Sequence, residues 1–306
     1  MERLSLAHSK GMKMSMTKSE HDYINLINGY LDEQLSRSDY PEIIYEAMGY
    51  SIKSGGKRVR PLLALYAAEG FGGDIDVVLP FAAAIECIHA YSLIHDDLPC
   101  LDNDDLRRGK PTNHKVYGEA MALLAGDGLL NLAYEIMANA CADNFNKESV
   151  LAMREVAEFV GTRGMIGGQV VDIISEDKTA LGSTLLYIQK NKTAAIIKAA
   201  VAAGAIISLA SDSEVEKIKD AAEAFGIAFQ IKDDILDIKG TTEILGKSVG
   251  SDAKNSKLTH VSLYGMEQAE ADYEKHYAKA LDIVDGLSLK TDSLKTYMSK
   301  LMDRNY

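Results

Sequence analysis

Two groups of aspartates stand out in this chain by type and spacing. Asp96, Asp97 and Asp102 form the first, and Asp233, Asp234 and Asp237 the second. Each closes an apolar run, Phe81 to Ile94 and Ala221 to Ile231. Carboxylates crowded at the ends of core-like segments repel one another, and burying them is costly unless they are paired or bind metal. A divalent cation removes that cost. An all-oxygen donor set favours Mg²⁺, which takes a few carboxylates and completes its shell with phosphate oxygens and water. The chemistry these clusters point to is Mg²⁺ holding a diphosphate.

In the second cluster Asp233 and Asp237 are four residues apart and share a helix face, with Asp234 beside them. The first has spacing i, i+1, i+6 and contains Pro99, so Asp102 is reached through a distorted last turn. An acidic loop, extended by Asp104 and Asp105, is the plain alternative. Arg107 and Arg108 follow directly and speak against it, because guanidinium groups grip phosphate oxygens beside metal-bound acids.

A third segment, Gly55-Gly56-Lys57-Arg58-Val59-Arg60-Pro61, sets two glycines and three cations at the start of a helix. The glycines, Gly56 among them, let backbone approach a ligand, and cations there oppose the helix dipole unless an anion is present. Taken alone, the segment reads as an exposed basic turn. His89 lies two helical turns before Asp96 on the same face; a satisfied core histidine and a ligand are equally good readings. His95 is assigned a structural role. Lys192, Thr193 and Lys247 could add phosphate donors, although each alone reads as surface. Gly167-Gly168-Gln169-Val170-Val171-Asp172 places small and polar residues in an apolar context. No Gly-rich nucleotide loop is present.

The elements that must carry these residues are helices. Apolar periodicity predicts helices from about Glu20 to Ser36, Pro41 to Ser51 and Val59 to Glu69, and from Pro80 into the first acid cluster. Further helices are predicted over 117–142, 148–165, 168–175, 183–191, 193–210, 213–238, 259–285 and 289–303. Asn103 to Asn113 reads as a polar loop and Thr241 to Lys257 as a charged loop. No convincing period-2 strand, repeat or interdomain linker appears. The reading is an all-α fold of ten or more helices, one domain over residues 19–306, with residues 1–18 a poorly ordered tail.

Composition agrees: 47% of the 306 residues are hydrophobic, enough for a large core, with 5 Pro and no Trp. A formal net charge of −12 argues against nucleic-acid binding. Three cysteines, Cys87, Cys100 and Cys141, follow no metal spacing and suit a reducing, cytoplasmic setting. The N-terminus lacks a signal-peptide core, and no charge-free apolar run of about 18 residues predicts a membrane span.

Together these residues resemble the trans-prenyltransferases, the chain-elongating isoprenyl diphosphate synthases (the polyprenyl synthetases). Ile88 to Gly109 resembles the family's first aspartate-rich motif, Gln230 to Asp237 the second, and Gly55 to Pro61 the isopentenyl diphosphate motif. The Pro99-Cys100 insertion resembles the bacterial farnesyl and the bacterial and plant geranylgeranyl diphosphate synthases. The resemblance covers nearly the whole chain beyond the tail.

It implies an isoprenoid synthase bundle around a central apolar cavity, usually in a homodimer. Asp96, Asp97, Asp102, Asp233, Asp234 and Asp237 would hold two or three Mg²⁺ ions bridging an allylic diphosphate. Arg107, Lys192, Thr193, Gln230 and Lys247, with Lys257, would bind that diphosphate. Lys57, Arg60, His89 and Arg108 would bind isopentenyl diphosphate. Tyr91 and Ser92, five and four residues before Asp96, would set product length. A bulky Tyr91 resembles farnesyl-producing members; geranylgeranyl diphosphate synthesis is the alternative. Ser251 departs from the lysine frequent there. A class I terpene cyclase would carry a different second metal motif and need no second diphosphate site. A non-catalytic partner subunit tends to lose one acid motif, and a purely structural bundle leaves the clustered charges unexplained.

Overall fold

The computed structural model describes residues 18–36, 40–176, 181–239 and 258–303. Lys247, Ser251, Lys257 and the expected tail, apart from Lys18, lie outside the described residues. The elements are α1 (Glu20–Leu35), α2 (Glu42–Lys53), α3 (Val59–Phe71), α4 (Ile75–Asp96), a hairpin of β1 (Leu106–Arg107) and β2 (Lys110–Pro111), α5 (Asn113–Tyr117), α6 (Glu119–Asp143), α7 (Lys147–Val160), α8 (Met165–Ser175), α9 (Gly182–Ile188), a π-helical turn (Gln189–Ala194), α10 (Ala195–Ile207), α11 (Asp212–Lys239), α12 (His260–Tyr264), α13 (Met266–Asp285) and α14 (Ser293–Met302). The all-α expectation of ten or more helices holds.

Local chemistry sets the boundaries. Ser19 and Asp22 form a reciprocal capping box that starts α1. Asp74 accepts from the Asp76 amide at 3.0 Å and starts α4 well before Pro80, the predicted first residue. The cap and the burial that follows outweigh the backbone bond Pro80 cannot make. The predicted helix over 148–165 ends instead at Val160, and α8 begins at Met165 after the Gly161–Gly164 turn. The predicted helix over 259–285 is broken at Gly265, whose φ is 83°.

One buried cluster joins residues from α1 to α14. The helix α4 lies along α6, and α10 contacts α3, α7 and α11. The helix α4 is buried on most faces, from Val78 and Phe81 to Tyr91 and Ile94. A second cluster, Ile227, Ile231, Ile235 and Ala269, fastens the end of α11 to α13. Helices α4 and α6 have the length and hydropathy to cross a membrane. In α4, however, most of the apolar surface is covered by neighbouring helices, and its buried Glu86 is paired with Arg58. These contacts fix the C-terminal ends of α4 and α11, where the two acid clusters sit.

Candidate active site

The first acid cluster is shaped by a chain reversal. The helix α4 stops at Asp96, and the Asp102 amide returns to the Asp96 carbonyl at 2.8 Å. All three aspartates of this cluster are thereby gathered at one helix end. Asp97 is buried, and the carboxylate accepts from Arg107 Nε at 2.8 and 2.9 Å. Arg107 Nη2 stands 2.6 Å from the same carboxylate. Burial pushes the Asp97 pKa up to about 6, against the pull of Arg107.

The predicted polar loop contains a two-strand hairpin, with Leu106 opposite Pro111 and Arg107 opposite Lys110. Its two turn residues, Arg108 and Gly109, have φ of 53° and 74°. Two consecutive left-handed residues make the tight turn that matches strand twist. The turn sends neighbouring arginines apart. Arg107 reaches Asp97, while Arg108 Nη1 donates to the Gly55 carbonyl. At Gly56, φ is 130° and a Cβ would come 2.6 Å from Arg108 Nη1, so only glycine fits there without displacement.

The basic segment divides its cations between two tasks. Arg58 turns into the core. It donates to Glu86 Oε1 at 2.7 Å, Asn28 Oδ1 at 2.9 Å and the Ile52 carbonyl at 2.8 Å. Arg60 Nη1 meets His89 Nε2 at 3.2 Å, and its Nε is buried without a hydrogen-bond partner. Such an orphaned guanidinium nitrogen suits an incoming anion. Burial and the guanidinium groups of Arg60, Arg108, Arg107 and Arg58 hold the His89 pKa well below the ordinary imidazole value. The ring is neutral and accepts from Arg60. Lys57 is exposed at the mouth of the segment. The Asp233 carboxylate is among the charges that favour the charged form of Arg60, against its burial.

At the second cluster Asp234 and Asp237 are buried and Asp233 is partly exposed. Asp234 accepts from Gln230 Nε2 at 2.9 Å and from the His260 amide at 2.8 Å. Gln230 Oε1 accepts from Thr193 Oγ1 at 2.8 Å. Lys192 Nζ donates to Asp172 Oδ2 at 2.7 Å. Both Lys192 and Thr193 belong to the π turn, where two separate helices were predicted. A Cβ on Gly168 would lie 2.2 Å from the Lys192 nitrogen, so α8 can pack against this turn only through glycine. Asp172, noted in the sequence only as a polar residue in apolar surroundings, is the partner of Lys192.

His95 points away from the acids, with Nε2 3.0 Å from the Leu123 carbonyl of α6. Tyr91 is buried edge-on to the His95 ring at 5.7 Å, and Ser92 Oγ donates to the His89 carbonyl. A cleft open to solvent is lined by Arg58, Glu86, His89, Asp97, Arg107 and Arg108 among others. A small apolar crevice lies among Leu63, Val201, Phe225 and Met298. Tyr91 lines neither of these two.

Among the described residues no three His, Cys, Asp or Glu side chains already converge as a metal cage. The donor set nonetheless fits Mg²⁺. All the candidate ligands are carboxylates, and Mg²⁺ is usually held by one or two of these together with phosphates and water. Sequence reasoning missed His260, whose amide donates to Asp234, and the partners of its ring, Gln189 and Asp272. Its one signal was the Thr259-His260 pair opening a helix.

Comparison with known proteins follows the same outline. Residues 41–292 match the family model "Polyprenyl synthetase". The farnesyl diphosphate synthase of Bacillus subtilis is 42% identical over 92% of this chain and 96% of its own length. A chloroplastic geranylgeranyl pyrophosphate synthase of Capsicum annuum is 46% identical over 80% of this chain and 66% of its own. The crystal structure of a geranyltransferase from Helicobacter pylori, complexed with magnesium and isoprenyl diphosphate, superposes with a TM-score of 0.80 at 29% identity, covering 94% of this chain and 98% of that one. With an aspartate cluster at the end of α4, another near the end of α11 and a family match spanning most of its length, the chain belongs to the polyprenyl synthetase family.

Proposed function

We propose that this prenyl-transferring enzyme condenses isopentenyl diphosphate with dimethylallyl and geranyl diphosphates to give (2E,6E)-farnesyl diphosphate. The observation that carries the reading is the gathering of cations around the first acid cluster and the glycine segment. Arg107 engages Asp97 of that cluster, Arg60 and Arg108 gather with His89 at the glycine segment, and Lys192 pairs with Asp172.

Asp96, Asp97 and Asp102 on one side, with Asp233, Asp234 and Asp237 on the other, would hold two or three Mg²⁺ ions. Metal bound there would supply positive charge to offset that growing on the departing diphosphate. Arg107, Lys192, Thr193 and Gln230, with Lys247 and Lys257, would grip the allylic diphosphate and stabilise it as its C–O bond ionises. Lys57, Arg60, His89 and Arg108 would hold isopentenyl diphosphate with its double bond against the allylic cation and away from water. The released diphosphate then takes the proton.

The bulk of Tyr91, five residues before Asp96, supports a fifteen-carbon product, since it would block further growth. Geranylgeranyl diphosphate synthesis is the second reading, supported by plant relatives at similar identity. Exposed Leu123 and Leu124 on α6 suit a homodimer contact, and free thiols suit the cytoplasm. The test is an assay with isopentenyl diphosphate and each allylic diphosphate, with product length read by chromatography. A main product of fifteen carbons supports the proposal. Twenty carbons moves it to the second reading, and no Mg²⁺-dependent condensation overturns both.

A further inference from the structure

The helix α12 opens with a histidine whose every polar atom near the site is engaged. Its backbone amide donates to Asp234 Oδ2 at 2.8 Å. Its ring Nε2 lies 3.0 Å from Asp272 Oδ2 of α13, and its Nδ1 lies 3.3 Å from Gln189 Nε2 of the π turn. Gln189 can only donate through that amide nitrogen, and the carboxylate can only accept. The ring is therefore held with its proton on Nε2. Tyr264 packs against it at 4.8 Å between ring centroids, and His260 and Gln189 are both buried.

Three elements meet at this one residue, two through its ring and one through its backbone amide. The π turn carries Lys192 and Thr193, α11 carries the aspartates, and α13 supplies Asp272. Gln230, bonded to both Thr193 and Asp234, closes the circuit from the other side. Asp234 thus has each oxygen aimed by a separate donor, one of them fixed by the His260 ring.

We propose that His260 is a positioning residue for Asp234, locked between Gln189 and Asp272 so that its amide holds Asp234 Oδ2 in the orientation that serves the metal-bound diphosphate. This rests on the function proposed above. Residues behind a ligand that fix its orientation typically contribute about 10- to 100-fold in metal affinity or activity.

The experiment uses the full chain, with Mg²⁺ and inorganic pyrophosphate as the probe and calorimetry as the readout. His260→Phe keeps a ring but loses both ring hydrogen bonds. Asp272→Leu removes the acceptor from a residue that lies away from the reacting atoms. Each is expected to weaken Mg²⁺-dependent pyrophosphate binding about 10-fold, with the double variant no weaker than either alone. Asp272→Asn, whose amide oxygen still accepts from Nε2, is expected to restore binding. A merely structural role would lower the melting temperature of all three and leave the affinity unchanged. If His260→Phe does not fold, Asp272→Leu and its rescue by Asn decide the matter. Unchanged affinity in a folded His260→Phe or Asp272→Leu protein, while Asp234→Ala loses binding, overturns the role of His260 alone. Binding retained in Asp234→Ala overturns the proposed metal site together with it.

Discussion

Arg107 lies flat along the carboxylate of Asp97, with Nε and Nη2 both engaging it at 2.6–2.9 Å. Asp97 is buried and Arg107 is partly exposed, so the arginine is the counter-charge that makes the buried aspartate tolerable. Arg107→Gln is expected to destabilise the ligand-free protein by about 1–3 kcal/mol, the cost of a poorly paired buried group. Mg²⁺ with pyrophosphate should return part of that loss by binding the folded state. Urea unfolding with and without both ligands checks this; equal losses in the two conditions would contradict it.

The acid clusters are expected to act together. Asp96→Ala and Asp233→Ala should each reduce turnover by about 10²-fold or more while the protein stays folded, because either loss misplaces the diphosphate. Steady-state rates alongside circular dichroism test the pair. Near-normal turnover in either variant would remove the two-cluster arrangement.

The cations should separate kinetically. Lys57→Ala is expected to raise KM for isopentenyl diphosphate more than for the allylic substrate, because it belongs to the non-ionising side. Lys192→Ala, paired with Asp172 at 2.7 Å, should lower kcat as well, since charge develops on its side in the transition state. Matching kinetic profiles would show that the two subsites are assigned wrongly.

Acid sensitivity should trace in part to His89. Its pKa in the fold is depressed below 6.5 by burial first, then by the surrounding guanidinium groups. As pH falls below 6.5 the unfolded chain takes up a proton that the folded chain refuses. Stability from this group is therefore complete above the ordinary imidazole value and is lost as pH drops through the depressed one. His89→Gln, neutral throughout, should flatten the fall of the urea midpoint on the acid side. An unchanged slope would count against a neutral buried ring.

Tyr91 gives a direct product test. If it floors the allylic cavity, Tyr91→Ala opens room for a longer chain, worth about 0.8 kcal/mol per buried CH₂. The product should shift from fifteen carbons to twenty or more. If Tyr91 is only a core residue, the substitution costs about 3 kcal/mol of stability and leaves product length alone. Chromatography and melting temperature on the same variant separate the cases.

The sequence made the acid clusters readable because charge at the end of an apolar run is conspicuous and local. The helices were readable for the same reason, and boundaries failed where one residue overrode the periodicity, as Asp74 did by capping α4 ahead of Pro80. Local chemistry alone does not sort Arg58 from Lys57 and Arg60, because its partner Glu86 lies on another helix; only the family resemblance separates them. His260, Gln189 and Asp272 were invisible for that reason too. Their meeting depends on three elements docking, and no short window contains it.

The π turn at Gln189–Ala194 has a consequence for how this region can change. A wide turn accommodates one residue more than a regular helix needs. Removing one residue from it would let the turn tighten into regular helix while the helix before it and α10 after it keep their register. The loss would fall on the turn itself, whose Gln189, Lys192 and Thr193 could not all keep their places against His260, Asp172 and Gln230. The flanking helices thus tolerate either length, and it is the contacts of the turn that hold the extra residue in place.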